Sequence, residues 1–480
     1  MRYNRRQVLI TGLLGSLATV AGGCKPQPGR FPDLLENWTL SRADRLCRQG
    51  ERLAASGKSA EAVLAFRQAY QANPTHRTAL RHLAVAYQAQ GRKRLAAYFA
   101  ARLFDLDPTD SSAAQSLLSL YESLGHAEKA RELRSRLGQS DDADASHASP
   151  PGGRDGLSTA WESFLEEHAV SGLAVSDAIV YATTQGGSLF ALHKSDGRPR
   201  WKVSVARPIA SHPVFSPGPS EPLVLFGADD LRLYAFTAED GRETWRFQTK
   251  APVYGSPAVG DDLVYCGSSD GHLYAIKRSS GERVWEFTTG AAIRAAPLVA
   301  GDAVYVGSLD QHIYALNART GALRWKFTAL AGFESTPTLV GDRLFAGADD
   351  SRLYCLHPIS GRKLWHFSTE DAIYGKPLVE GRYVYVTSAS QALFALSRDT
   401  GELAWRYDAG TSLSTAPAYD RGRLYLTASG DPHLYALDAE TGRLLWTMDT
   451  GDWPSGDLVV DGARLYLGEK DGTVLAYTLV

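Results

Sequence analysis

The sequence predicts an all-β, eight-bladed β-propeller preceded by a small all-α unit, and three observations predict it. Tryptophans recur at Trp161, Trp201, Trp245, Trp285, Trp325, Trp365, Trp405 and Trp446, with successive gaps of 40, 44, 40, 40, 40, 40 and 41 residues. All but the first close a unit of short β-branched and aromatic runs, clearest in AVYVGSLDQHIYALNARTGALRW from Ala303 to Trp325 and repeated in the stretches ending at Trp285 and Trp365. A shorter period of 34 residues with helical spacing runs from Ala43 and fades after Leu137. A 40-residue period with about four strands per unit is that of a propeller, whose blades bury their faces only against one another.

The first residues, MRYNRRQ, are charged, and an uncharged run from Val8 to Gly23 leads to Cys24. Residues 1–24 therefore form an export signal, too short and glycine-rich for a spanning helix. Ala21-Gly22-Gly23-Cys24 resembles a bacterial lipoprotein signal. That resemblance implies a lipid on Cys24 and a chain anchored to a membrane and facing the periplasm. Lys25, where an Asp would retain the chain at the inner membrane, favours the outer one. Asn4 to Leu9 resembles a twin-arginine signal, and an ordinary secretion signal with an incidental cysteine is the plainer alternative.

Residues 25–42 read as a Pro/Gly-rich tether. In residues 43–138, Leu46, Gly50, Leu53, Gly57, Ala62, Phe66, Ala69 and Pro74 stand where a tetratricopeptide repeat would place them. A second copy carries Leu80, Leu83, Ala84, Tyr87, Gly91, Ala96, Leu103 and Pro108, and a third carries Leu117, Tyr121, Gly125 and Ala130. Small residues let paired helices approach, and the prolines stop the second helix of each pair. The resemblance implies a groove for peptide segments or helices; the alternative is a spacer. Arg77, Arg81, His82 and Arg92 give the second repeat a basic side. Residues 139–156, acidic and then Pro/Gly-rich, form a flexible linker to the propeller of residues 157–480.

Within the propeller, runs such as Ser256 to Tyr265 supply the innermost strand and Thr320-Gly321 a turn. The last unit stops at Val480 without a tryptophan, whereas Trp161 precedes the first unit without a body. Trp161 should thus supply the outer strand of the blade that the C-terminus begins, which closes the ring and removes an exposed sheet edge. A row of tryptophans could line a sugar or cofactor site, but identical placement in every unit argues for packing between blades.

LYAI before Trp285, IYALNARTG before Trp325 and LYALDAETG before Trp446 resemble the repeat of pyrroloquinoline-quinone (PQQ) propellers. That repeat serves both quinone-dependent dehydrogenases and proteins that bind no quinone, so the resemblance implies the fold more than any chemistry. The dehydrogenases hold PQQ at the axis with a hard cation among converging oxygens, and many carry a vicinal disulfide. Aligning the segments that enter each innermost strand puts Ala210, Tyr254, Arg294, Glu334, Tyr374 and Ser414 in one place, with Val170 and Pro454 in the other two units. Glu334 is the single acid among them, and the chain has no adjacent cysteines. No metal, cofactor or catalytic residue is expected. Instead Tyr254, Arg294, Glu334 and Tyr374, with Lys376, form a candidate docking patch on one sector of a propeller mouth. The bland reading of the same residues is an Arg294–Glu334 ion pair beside two half-buried tyrosines.

The remaining motifs are structural. His272, His312 and His433 recur at turns, and the Asp of Asp270-Gly271 and Asp471-Gly472 is turn chemistry. Cys47, Cys266 and Cys355 read as small core residues, with the latter two a pair of blades apart and beyond disulfide reach. A net charge of −2 gives no support to a nucleic-acid partner. The propeller and signal together resemble the BamB family of outer-membrane assembly lipoproteins, although the helical repeats depart from it. That resemblance implies a non-enzymatic scaffold that holds envelope proteins through the propeller face and the helical groove. A quinoprotein dehydrogenase and a glycan-binding propeller with Tyr254 and Tyr374 at its mouth are the alternatives.

Overall fold

The computed structural model describes residues 41–124, 127–137, 157–167, 169–218 and 221–479. Cys24 with the expected signal, most of the expected tether, Gly125 of the third repeat and the expected linker of residues 139–156 lie outside them. The described residues form two compact units, one helical and one of strands. No helix among them is long and apolar enough to cross a membrane.

The helical unit is three successive hairpins: α1 (Arg42–Ala55) with α2 (Ser59–Ala72), α3 (Arg77–Ala89) with α4 (Lys93–Leu106), and α5 (Ser111–Ser123) with α6 (Ala127–Arg136). Helix α1 starts on a capping box in which Ser41 and Asp44 satisfy each other's backbone N–H groups. The hairpin closes tightly because Gly50 has no side chain, and a Cβ there would lie 2.5 Å from the Phe66 ring. Asp110 caps α5 by accepting from the N–H groups of Ser112 and Ala113. The expected basic side of the second repeat is largely neutralised. Arg77 pairs with Asp107 at 3.0 Å and Arg81 with Asp110 at 2.7 Å, while His82 Nε2 lies 3.1 Å from Glu51 Oε1.

The second unit is eight four-stranded antiparallel sheets built from strands β1 to β32. Seven are continuous in sequence. The blade read first in the sequence is β14 (Leu298–Ala300), β15 (Ala303–Gly307), β16 (His312–Asn317) and β17 (Leu323–Thr328), paired in that order. The two middle strands are almost wholly buried while β17 alternates exposed and half-buried residues, as the outer strand of a blade should. The eighth sheet closes the ring. Its inner three strands are β30 (Pro454–Asp461), β31 (Arg464–Glu469) and β32 (Thr473–Leu479), and its outer strand is β1 (Leu157–Phe164) from the start of the unit.

The register explains the repeated Leu-Tyr-Ala-Leu. In every blade the tryptophan of the outer strand faces a small residue on the third strand, as Trp325 faces Ala315, Trp365 faces Cys355 and Trp161 faces Ala476. The indole then leans on the next blade. Gly321 meets Trp285 in this way: it holds φ at 73° in its turn, and a Cβ would lie 2.7 Å from the indole. At the following seam the polar ends are satisfied too, since Trp325 Nε1 and the Tyr305 hydroxyl both donate to the Pro358 carbonyl, at 2.8 and 3.2 Å. Cys266 and Cys355 are free and fully buried.

Candidate functional site

The segment entering each innermost strand alternates inward and outward residues, which is how the fold builds a mouth. Ile209, Val253, Ile293, Phe333, Ile373 and Leu413 are fully buried plugs between blades. Room for four of them, Val253, Ile293, Phe333 and Ile373, comes from glycines on the second strands; a Cβ on Gly267 would lie 2.2 Å from Ile293. The residue after each plug is forced outward, so Arg294 and Tyr374 are exposed and Tyr254 and Glu334 half-buried.

Three of the five patch residues are joined across three blades. Arg294 Nη1 donates to Glu334 Oε1 at 3.0 Å, and its guanidinium stands 6.0 Å from the centre of the Tyr254 ring. Tyr374 is 43% exposed. Partial burial, then the charges of Asp349 and Glu334, push its hydroxyl pKa upward. Lys376 is exposed, and no ion pair ties it to Glu334 among the described residues.

Asp349 is a mouth residue that sequence reasoning missed. It sits in the turn between the second and third strands of its blade, and its N–H donates to the Gly332 carbonyl of the entering segment at 2.9 Å. Its Oδ1 is buried without a hydrogen-bond partner. Burial, then repulsion from Glu334 and Asp350, push its carboxyl up to about 6 against the opposing pull of Arg294. The Asp349-Asp350 doublet recurs as Asp229-Asp230, a signal that an alignment of these turns would have found. Two further features were also unforeseen. Trp453 is 45% exposed with Lys470 Nζ 4.9 Å over its ring, and His212 Nδ1 stands 3.6 Å from Asp457 Oδ2 across Gly172, where a Cβ would strike the imidazole.

The donor chemistry does not fit a quinone held with a hard cation. Glu334 is committed to Arg294, and Asp457 accepts the Ala416 N–H at 2.9 Å beside His212. Asp349 faces repulsion from its acidic neighbours, with Arg294 as its counter-charge. Glu334 is thus taken up by an ion pair and Asp457 by a backbone N–H, which leaves Asp349 Oδ1 as one unpartnered oxygen rather than several that converge on a cation. The turn residues are structural as read: Asp270 accepts from the Tyr274 hydroxyl at 2.8 Å and from the Lys250 N–H at 2.9 Å, with His272 stacked on Tyr274.

A sequence profile of the family described as outer membrane protein assembly factor BamB matches residues 153–291, 272–372 and 349–479. The outer membrane protein assembly factor BamB of Yersinia pestis is 33% identical over 105 residues, 21% of this chain and 25% of that protein. This chain therefore spans about a quarter of the curated relative that it matches. Among solved structures, BamB from Moraxella catarrhalis superposes with a TM-score of 0.60 at 21% identity, covering 67% of this chain and 97% of that one. A quinohemoprotein alcohol dehydrogenase from Pseudomonas putida HK5 superposes with a TM-score of 0.56 at 16% identity, covering 67% and 76%. At these identities the two structures share the fold alone with this chain.

Proposed function

This chain belongs to the family of outer membrane protein assembly factor BamB, and on that premise we propose that it is a non-enzymatic scaffold of the bacterial envelope. The observation that carries the proposal is the row of Tyr254, Arg294, Glu334 and Tyr374 across four consecutive blades. It combines aromatic surface with a surface-exposed ion pair, the residue types that anchor protein interfaces. In this reading a protein partner docks on that sector, the helical hairpins take a second partner as tetratricopeptide repeats do, and lipid on Cys24 holds the chain at the outer membrane. The names of its relatives suggest assembly of outer-membrane proteins as the setting.

The test is a photocrosslinking residue at Tyr374 in the host cell, repeated with Arg294→Ala. A discrete envelope partner at Tyr374, reduced about tenfold by Arg294→Ala in a chain that still folds, supports docking; one tenfold is about 1.4 kcal/mol, an ordinary loss for an interface anchor. Unchanged crosslinking removes this patch, and displacement of the crosslink by an envelope glycan assigns the aromatic mouth to sugar binding. In cells lacking the chain, folded outer-membrane barrel proteins should decline; normal levels remove the assembly role. Saturable binding of PQQ with Ca²⁺, seen as a raised melting temperature, would revive the dehydrogenase reading.

A further inference from the structure

The helical unit brings together three side chains of metal-binding type. Cys47 and Glu51, four residues apart, share one face of α1, and His82 projects from α3. The Cys47 sulfur, a Glu51 carboxylate oxygen and a His82 ring nitrogen all lie within 4.8 Å of one another. We propose that Cys47, Glu51 and His82 form a zinc site that ties the first helical hairpin to the second.

The surroundings favour a site over a chance meeting. The ring of His82 is stacked on Phe66 with centroids 4.5 Å apart and planes 11° from parallel, and Phe66 is itself seated against Gly50. The packing that closes the first hairpin therefore also fixes the imidazole. His82 Nε2 is 3.1 Å from Glu51 Oε1. The other histidine at this interface is occupied elsewhere: His76 Nδ1 accepts from the Ala79 N–H, and Nε2 faces Asp44 at 3.0 Å. Asp44 in turn is held by Ser41 and His76. That leaves three protein ligands, with Cys47 buried, His82 half-buried and Glu51 at the surface. A fourth position would open toward solvent and take water.

Thiolate, imidazole and carboxylate together suit a borderline-soft divalent ion that accepts four ligands, which is zinc. Ligand atoms around tetrahedral zinc stand roughly 3.5 Å apart, close to the separations found here. Burial, then Glu51 and Asp44, push the Cys47 thiol up to about 11, so without metal it stays protonated. Binding breaks the S–H bond, forms the S–Zn bond and passes one proton to solvent.

Cobalt reports such a site directly. The full chain would be titrated with Co²⁺ alone in a Cys24→Ser background, where the other two thiols, Cys266 and Cys355, are sealed in blade cores. The expected result is one equivalent of Co²⁺ with a thiolate-to-cobalt charge-transfer band, erased by stoichiometric Zn²⁺, which binds more tightly. Cys47→Ser should remove the band. His82→Ala should weaken binding by about a hundredfold or more with helicity retained, since even residues behind the ligands account for ten- to hundredfold. A folded chain with no charge-transfer band, or a band indifferent to His82→Ala, overturns the site. Should Cys47→Ser fail to fold, the His82 result decides alone.

Discussion

Tyr314 donates its hydroxyl to Asp310 at 2.7 Å, and the same bond joins Tyr274 to Asp270, Tyr354 to Asp350, Tyr234 to Asp230 and Tyr435 to Asp431. The spacing of four is visible in the sequence as DQHIY, DGHLY, DSRLY, DLRLY and DPHLY. Two blades break the pattern at both ends at once. Ser390 stands with Phe394, and Gly186 with Phe190, so where the acid is lost the hydroxyl is lost too. The reason is asymmetry: an unmade hydrogen bond to a half-buried charge is worse than no polar pair at all. The closing blade is an exception, with Asp471 opposite Leu475 and satisfied by the Thr473 N–H at 2.8 Å. Tyr314→Phe should cost about 1.5–3 kcal/mol in denaturant unfolding, the range for a hydrogen bond to a charged group. Adding Asp310→Ser, which copies the blade of Ser390, should cost less than the two single changes summed. Strict additivity in that double-mutant cycle would show the pair to be uncoupled.

At the scale of the element, closure rests on one strand borrowed across the whole unit. The pairing of β1 with β32 runs from Leu157 opposite Leu479 to Phe164 opposite Thr473, and Trp161 Nε1 donates to the Lys194 carbonyl of the neighbouring blade at 2.9 Å. Removing residues 157–164 uncovers the edge of β32 and the face that Trp161 packs. The shortened chain should self-associate in light scattering where the full chain does not, because a bare strand edge pairs with whatever edge it meets. Monomeric behaviour would show that the edge is protected by other means. This closure was legible in the sequence because a tryptophan without a body and a body without a tryptophan stand at opposite ends. The mouth was legible only in part. Arg294 and Glu334 could be aligned since they occupy one register place in successive units. Asp349 belongs to a different turn, brought to the mouth by its N–H bond to Gly332, and the His212–Asp457 approach exists only once the ring is shut. Cys47, Glu51 and His82 come from two helices whose facing sides depend on hairpin packing, which the 34-residue period alone does not specify.

For the molecule as a whole, acidic residues of opposite behaviour divide its response to pH. Burial works to raise Asp270, but the N–H of Lys250, the Tyr274 hydroxyl and the N–H of His272 outweigh it and hold the carboxyl below its ordinary value; Asp310 and Asp431 are lowered in the same manner. Such groups contribute stability that is present above their unfolded value near 4 and is lost as pH falls through the folded value. Asp349 has the reverse sign. Its carboxyl is raised to about 6 by burial and by Glu334 and Asp350, so between about pH 4 and 6 the folded propeller holds a proton there that the unfolded chain has released. Its contribution is fully present below about 4 and is lost as pH rises through about 6. At neutral pH the mouth thus carries strain that the blade turns do not. The variant Asp349→Asn, uncharged throughout, should raise the propeller's melting temperature at pH 7 and leave it nearly unchanged at pH 4. Asp270→Asn should lower it at pH 7 with a smaller effect at pH 2, where the native acid is itself becoming protonated. Tryptophan fluorescence reports both, since every blade seam carries an indole. If Asp349→Asn destabilises at pH 7 instead, Asp349 is a structural acceptor satisfied by its neighbours. If it stabilises, the mouth retains a charge that the fold alone does not favour, as a docking surface selected for a partner would.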